Sequence, residues 1–351
     1  MRVPLACFLG TALLLPCGSA AAGTPAATIT GDMAALQAAV DSASPGDVIQ
    51  VSSPALSGGL VLSGRSGLTI IAKKGVRIDA GGTVSGLTIS GCTDVRIIGF
   101  TISNGLPHGA DISGGSGVAM EKCTVIGADD DGILAKDTAL LVLLKCAVID
   151  AGGDGIQLDT DGARLEKCTV DSSADDAVDV AGDGNVLLQC TVLGGQGAGV
   201  ILDGDANRIE KCFLKGMEED AVRLLGTGAT VLKNRIFLNG DDGVDAGGSG
   251  HRIEKNAITR TGEDGILLDC TDTDVISNKI VRPVDDGVDV DTGGNRLTRN
   301  SVSLAGDDGF DLSVGDNALT GNKASKSFDK DLEDTSDPAT NTFDGNKFKI
   351  Q

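Results

Sequence analysis

A stacked parallel β-solenoid is the fold class this sequence predicts, and three observations predict it. One column of residues, Cys123, Cys146, Cys168, Cys190, Cys212, Asn234, Asn256, Asn278, Asn300 and Asn322, recurs at intervals of 22 residues with a single interval of 23, and Phe100 extends it backward by another 23. Four aliphatic columns keep register with it, three residues before it (Leu165, Leu187, Ile209), two after (Val170, Val192, Leu214), ten after (Val178, Val200, Val222) and twelve after (Val180, Leu202, Leu224). Within each segment the apolar positions alternate, which is the strand period. A coil this short cannot bury its own apolar face, so successive coils must stack and share one interior. At a strand spacing of roughly 4.8 Å, about a dozen coils make a rod of roughly 60 Å. A leucine-rich repeat would need its own Leu/Asn signature and usually a helical segment, and the sequence has neither.

Composition narrows the function. With 29 Lys+Arg against 50 Asp+Glu the formal charge is −21. No Lys/Arg-rich block is present to displace phosphate counterions, so nucleic-acid binding is excluded and an anionic membrane surface is disfavoured. Apolar residues make up 41% of the chain, enough for a core, but aromatic residues only 2%, with no Trp or Tyr, so packing must be aliphatic.

From the N-terminus, Arg2, the apolar run Val3 to Leu15 and the small residues Ala20-Ala21-Ala22 read as a secretory signal over residues 1–22. The run is too short to span a bilayer, and nothing later approaches the roughly 18 apolar residues a spanning helix needs. The expected location is therefore secreted or periplasmic. Pro16 directly before Cys17 argues against lipidation, since a small residue is usual there. Residues 23–55 read as an N-terminal cap: Asp32 to Val40 has helical apolar spacing behind Asp32 as N-cap, and Pro45-Gly46 stops it. Residues 56–321 carry the coils. Residues 322–351, with Phe328 to Leu332 and Asn341 to Asn346, read as a closing coil and cap.

The Ala-rich helix, the segment Ser44-Pro45-Gly46-Asp47-Val48-Ile49 and the coils with Asp-Gly-Ile/Val turns resemble bacterial right-handed parallel β-helix proteins of the pectin-lyase-like superfamily. The resemblance covers nearly all of residues 30–350. It implies an all-β, right-handed, single-stranded parallel β-helix with a short N-terminal capping helix. It also implies a polysaccharide-active enzyme (lyase, glycoside hydrolase or epimerase) as one functional reading, although the fold hosts many activities.

Chemistry-bearing residues form columns too. Eight residues after the Cys/Asn position stand Asp131, Asp154, Asp176, Asp220, Asp242, Asp264, Asp286 and Asp308, interrupted by Ala198 and always followed by Gly or Ala. Each Asp is expected to form its turn by accepting backbone N–H bonds while Gly takes a positive φ. Charges stacked at roughly 4.8 Å repel by roughly 1 kcal/mol even in water, so donors or cations must offset them. The densest group is Asp241, Asp242, Asp245, Glu263, Asp264, Asp285, Asp286, Asp289, Asp307, Asp308 and Asp311. An all-oxygen set of this kind suits Ca²⁺, which takes 6–8 oxygen ligands.

The five stacked cysteines read as an inward ladder of free thiols, with disulfides or a soft metal such as Cu(I) as the alternatives. Lys122, Lys145, Lys167, Lys211, Lys233, Lys255 and Arg299 directly precede the reference column, and Arg164, Arg208, Arg252 and Arg296 recur every 44 residues with Glu166, Glu210 and Glu254 two residues beyond the first three. They read as a solvated surface with modest ion pairs. The resemblance alternatively implies an Arg or Lys base for β-elimination of a uronate, but no residue stands out for it.

The motifs of the pectin-degrading hydrolases are largely missing. Asn-Thr-Asp is absent, Ser249-Gly250-His251-Arg252 is a poor Gly-His-Gly, and Arg-Ile-Lys appears only as Arg208-Ile209-Glu210 and Arg252-Ile253-Glu254. Gly-Asp-Asp at Gly240-Asp241-Asp242 and Gly306-Asp307-Asp308 follows the repeat. His108 falls on a loop. The expectation is an exported, noncatalytic scaffold or glycan-binding module, Ca²⁺-stabilised, whose partner is a polysaccharide or cell-surface component.

Overall fold

The computed structural model describes residues 27–337 and 340–348; the expected leader, residues 1–22, lies outside them. The chain winds through about fourteen turns that build three parallel sheets and carry one short helix near the N-terminus. Sheet A has 15 strands, sheet B 12 and sheet C 13. There are more turns than the marked column suggests, because strands Ala27–Ile29, Val48–Val51 and Thr69–Ala72 already stack in sheet A before Phe100.

Each repeat contributes one strand to each sheet in the order A, B, C. In one coil these are Arg164–Glu166, Thr169–Ser173 and Val178–Val180. Register is residue for residue: Leu165 pairs with Leu187, and Leu187 with Ile209. All four aliphatic columns point inward, and their residues are at most 2% exposed.

The bend from sheet A to sheet B explains the Lys column. Lys145, Lys167, Lys211, Lys233 and Lys255 sit at φ between 54° and 58°, a left-handed conformation that turns the chain once per coil. The next residue is then inward, and its side chain must satisfy backbone groups between coils. The cysteines there are buried and free, and each thiol meets a carbonyl of the preceding coil, as Cys168 Sγ meets Leu143 O at 3.3 Å. Farther along, asparagines form an amide ladder: Asn256 N–H donates to Asn278 Oδ1 at 2.9 Å, and Asn278 Nδ2 to Ile253 O at 2.8 Å.

The ends are covered. Helix α1 (Met33–Ser42) is capped by Asp32, whose Oδ1 accepts from Ala35 N–H at 3.0 Å, and it buries Leu36 and Val40 completely. At the other end the Phe310 and Phe348 rings lie 5.4 Å apart, and strands Glu333–Asp334 and Thr342–Asp344 continue sheets C and A.

The glycines after the Asp column correct one expectation. Gly132, Gly155, Gly243, Gly265, Gly287 and Gly309 do not occupy positive φ. Close approach requires them: a Cβ on Gly265 would lie 2.4 Å from Ile280 Cγ2 and 2.5 Å from Gly287 O. Gly265→Ala is expected to destabilise by about 1–3 kcal/mol through overpacking, measured by urea unfolding.

Candidate functional site

The Asp column lines the turn that enters sheet C, and its carboxylates bind along the rod axis. Each Oδ1 accepts the backbone N–H of the equivalent residue one coil on. The first run goes from Asp131 to Asp154 (3.1 Å), Asp154 to Asp176 (3.0 Å) and Asp176 to Ala198 (2.7 Å). The second goes from Asp220 through Asp242, Asp264, Asp286 and Asp308 to Lys330, with bonds of 2.6–2.9 Å. The expected turn role therefore holds, but the donors come from the next coil. One oxygen per rung is committed to structure, and the other is not part of this bond.

Burial raises these acids. Asp264 is pushed up to about 8, first by burial and then by Asp242 and Asp286, while Asp154, Asp242 and Asp286 reach about 7 chiefly by burial. On the outer face of sheet C, Asp289 is raised to about 7 and Asp245 to about 6, again by burial first.

Seven members of the sequence-predicted group come together in three sets. Carboxylate oxygens lie within 4.8 Å of one another in the sets Asp264/Asp285/Asp286, Asp286/Asp289/Asp311 and Asp307/Asp308/Asp329. Asp289 and Asp311 pair across adjacent coils, and the Oδ1 of each is buried without a hydrogen-bond partner. Two sealed carboxylate oxygens beside Asp286 are a donor set that fits a hard cation such as Ca²⁺. Asp242 is a ladder rung and Asp245 instead lies 3.6 Å from Arg223. Asp241 and Glu263 remain outer turn residues.

Sequence reasoning missed Asp329, and it placed Asp154 and Asp176 in the acid column without seeing that they cluster with Asp175. Asp329 was findable, since it stands 22 residues after Asp307.

Arg223 is the one guanidinium on the outer face of sheet C among the described residues. Asp220 at 2.7 Å, Glu219 at 3.2 Å and Asp245 hold it. A shallow groove of about 530 Å³ runs beside the first ladder run, between Asp129, Asp150, Ser172, Gly194, Gly216 and Glu218. Its small floor residues left no mark in the sequence reading.

The motif fragments do not converge. His251 is 1% exposed and forms a rung in another ladder, its Nδ1 accepting from Ala229 N–H at 3.1 Å while Nε2 lies 2.6 Å from Gly247 O. Arg208 and Arg252 project from sheet A, where each binds the Glu two residues on at 2.7 Å. Gly-Asp-Asp lies at the turn into sheet C, on another side of the coil. Those Arg–Glu–Lys groups are the surface ion pairs expected.

Three parallel sheets wound around one aliphatic core, with an acid ladder along one corner, define a β-solenoid protein. The chain belongs to the right-handed β-helix family: the model described as "Right handed beta helix region" matches residues 56–194 and 176–348. Among solved structures it is similar to the mannuronan C-5 epimerase AlgE6 A-module of Azotobacter vinelandii, with TM-score 0.67 and 16% identity over 92% of this chain and 97% of that one. It is also similar to a PL6 family polysaccharide lyase of Pseudopedobacter saltans, with TM-score 0.64 and 12% identity over 93% of each chain. A third likeness is tailspike protein 3 of bacteriophage CBA120, with TM-score 0.63 and 14% identity over 93% of this chain and 59% of that one. No curated protein sequence matches the chain significantly. Among the described residues no helix is long and apolar enough to cross a membrane.

Proposed function

We propose that the chain is an exported, noncatalytic β-helix that binds polysaccharide along its acid-laddered side, with Ca²⁺ bound at Asp286, Asp289 and Asp311 stiffening that side. The observation that carries this is the repetition of the acid array from coil to coil. A row of equivalent groups, with an open groove spanning about five coils, or roughly 20 Å, suits a linear polymer better than a single reacting bond. Arg223, the only guanidinium on the outer face of sheet C among the described residues, is already held by three carboxylates and so is not free to neutralise a uronate. Two of the similar solved folds are named for polysaccharide chemistry, which agrees with the ligand class.

A polysaccharide-active enzyme is the second reading, and one observation favours it. His108 and Asp131 sit together, and Lys136 ends the strand that follows Asp131 in the same coil, 3.5 Å from Asp159. Incubation with acidic and neutral polysaccharides, with Ca²⁺ or chelator, separates the two readings. Cosedimentation with unchanged chain length and unchanged sugar stereochemistry is expected. Shortening, or epimerisation seen by NMR, sinks the binding-module reading.

A further inference from the structure

His108 breaks the repeat at an informative place. It stands eight residues after Phe100, at the head of the column that continues as Asp131 and Asp154. Its Nδ1 is sealed from solvent and makes no hydrogen bond. Asp131 Oδ2 lies 3.4 Å from that nitrogen and Asp130 Oδ2 4.0 Å, while the other Asp131 oxygen is held by Asp154 N–H. The imidazole is 12% exposed and the Asp131 side chain 9%, whereas Asp130 is 56% exposed.

A protonated imidazole donating to a carboxylate would sit at about 2.7–2.9 Å. The observed gap is wider and matches two donors sharing one small cation: bonds of about 2.0–2.1 Å at a tetrahedral angle place N and O about 3.3–3.4 Å apart. A nitrogen donor also distinguishes this cluster from the all-oxygen groups elsewhere on the ladder, because imidazole suits Zn²⁺ and its neighbours while oxygen alone suits Ca²⁺.

We propose that His108, Asp130 and Asp131 form a three-ligand site for a divalent transition cation, Zn²⁺ or Co²⁺, at the N-terminal end of the acid ladder. Three protein ligands leave a coordination position for water or for a ligand oxygen. The site is independent of the Ca²⁺ group near Asp289, which lies some eight coils away. It is also independent of whether the protein binds glycans.

The test is titration of tag-free, chelator-stripped protein with Zn²⁺ by calorimetry and with Co²⁺ by visible absorption, both in excess Ca²⁺. One tight equivalent with a tetrahedral N/O cobalt spectrum is expected. His108→Gln and Asp131→Asn should each weaken it by about 100-fold or more, since loss of a ligand should exceed the 10–100-fold cost of losing an outer partner. Circular dichroism must show that the variants fold. Should Asp131→Asn not fold, His108→Gln alone decides, because its side chain supplies no ladder bond. Equal uptake by His108→Gln and wild type overturns the proposal. So does thiolate-to-cobalt charge-transfer absorption, which would place the ion in the cysteine ladder.

Discussion

Raising the pH from about 5 to about 8 in chelator is expected to lower the melting temperature substantially, and added Ca²⁺ is expected to reverse most of that loss. The sign follows from the acid ladder. Asp264 titrates near 8 in the folded chain, and Asp154, Asp242, Asp286 and Asp289 near 7, all pushed up first by burial. Unfolded, each returns to the ordinary value near 3.8. Between those limits the folded state holds protons that the unfolded state has released, so stability falls as pH rises. It is fully present below about 4 and lost by about 8. Each kcal/mol lost lowers the melting temperature of a large domain by about 2–4 °C. A cation bound only by the folded state opposes this, adding about 2.7 kcal/mol at a hundredfold excess over its dissociation constant. Melting curves across this pH range, with Ca²⁺ and with chelator, read both effects. A melting temperature that rises with pH in chelator would contradict the ladder's protonation. No Ca²⁺ response of wild type at the higher pH, or an equal response in wild type and Asp289→Asn, would remove the cation from Asp286, Asp289 and Asp311.

Much of this was legible because a solenoid writes its geometry into its period. Leu165 and Leu187 are 22 residues apart, and that number alone places them one above the other in sheet A. Where the period carries no mark the reading weakened, as in the turns before Phe100, whose strands stack without the Cys/Asn residue. Glycine after aspartate was misread for a different reason. Sequence cannot separate a glycine needed for its dihedral angle from one needed for contact, and Gly265 faces Ile280 and a neighbouring carbonyl. The acid columns were visible as columns, but which carboxylates remain unpaired depends on side-chain direction. Asp245 and Asp289 occupy equivalent positions, yet Asp245 has Arg223 beside it while Asp289 buries an oxygen with no partner. His108 was passed over because it sits on a loop in the sequence, whereas in space it heads the ladder.

Asn278→Leu is expected to destabilise by about 3–5 kcal/mol, the largest effect of any single substitution considered. The Asn278 carboxamide is buried, and its Oδ1 accepts both the backbone N–H of Asn256 at 2.9 Å and the Asn256 side-chain amide at 3.0 Å. Its own Nδ2 donates to Ile253 O and to Asn300 Oδ1. Leucine leaves at least two donors in the neighbouring coil without a partner where water cannot reach, at about 1–3 kcal/mol each. Packing is nearly conserved, so the loss reports the ladder rather than a cavity. The molecule supplies its own milder variant. At the equivalent place five coils earlier, Cys168 fills the same position, and Cys212 Sγ accepts the backbone N–H of Cys190 at 3.3 Å. Asn278→Cys should therefore cost about half as much as leucine, because a thiol is a weak acceptor and still an acceptor. Coils contact only their neighbours, so the damage should be local, with faster hydrogen exchange in coils Asn256 to Asn300 and little change near Cys146. Equal destabilisation by leucine and cysteine would mean that packing, and not the amide ladder, holds this bend.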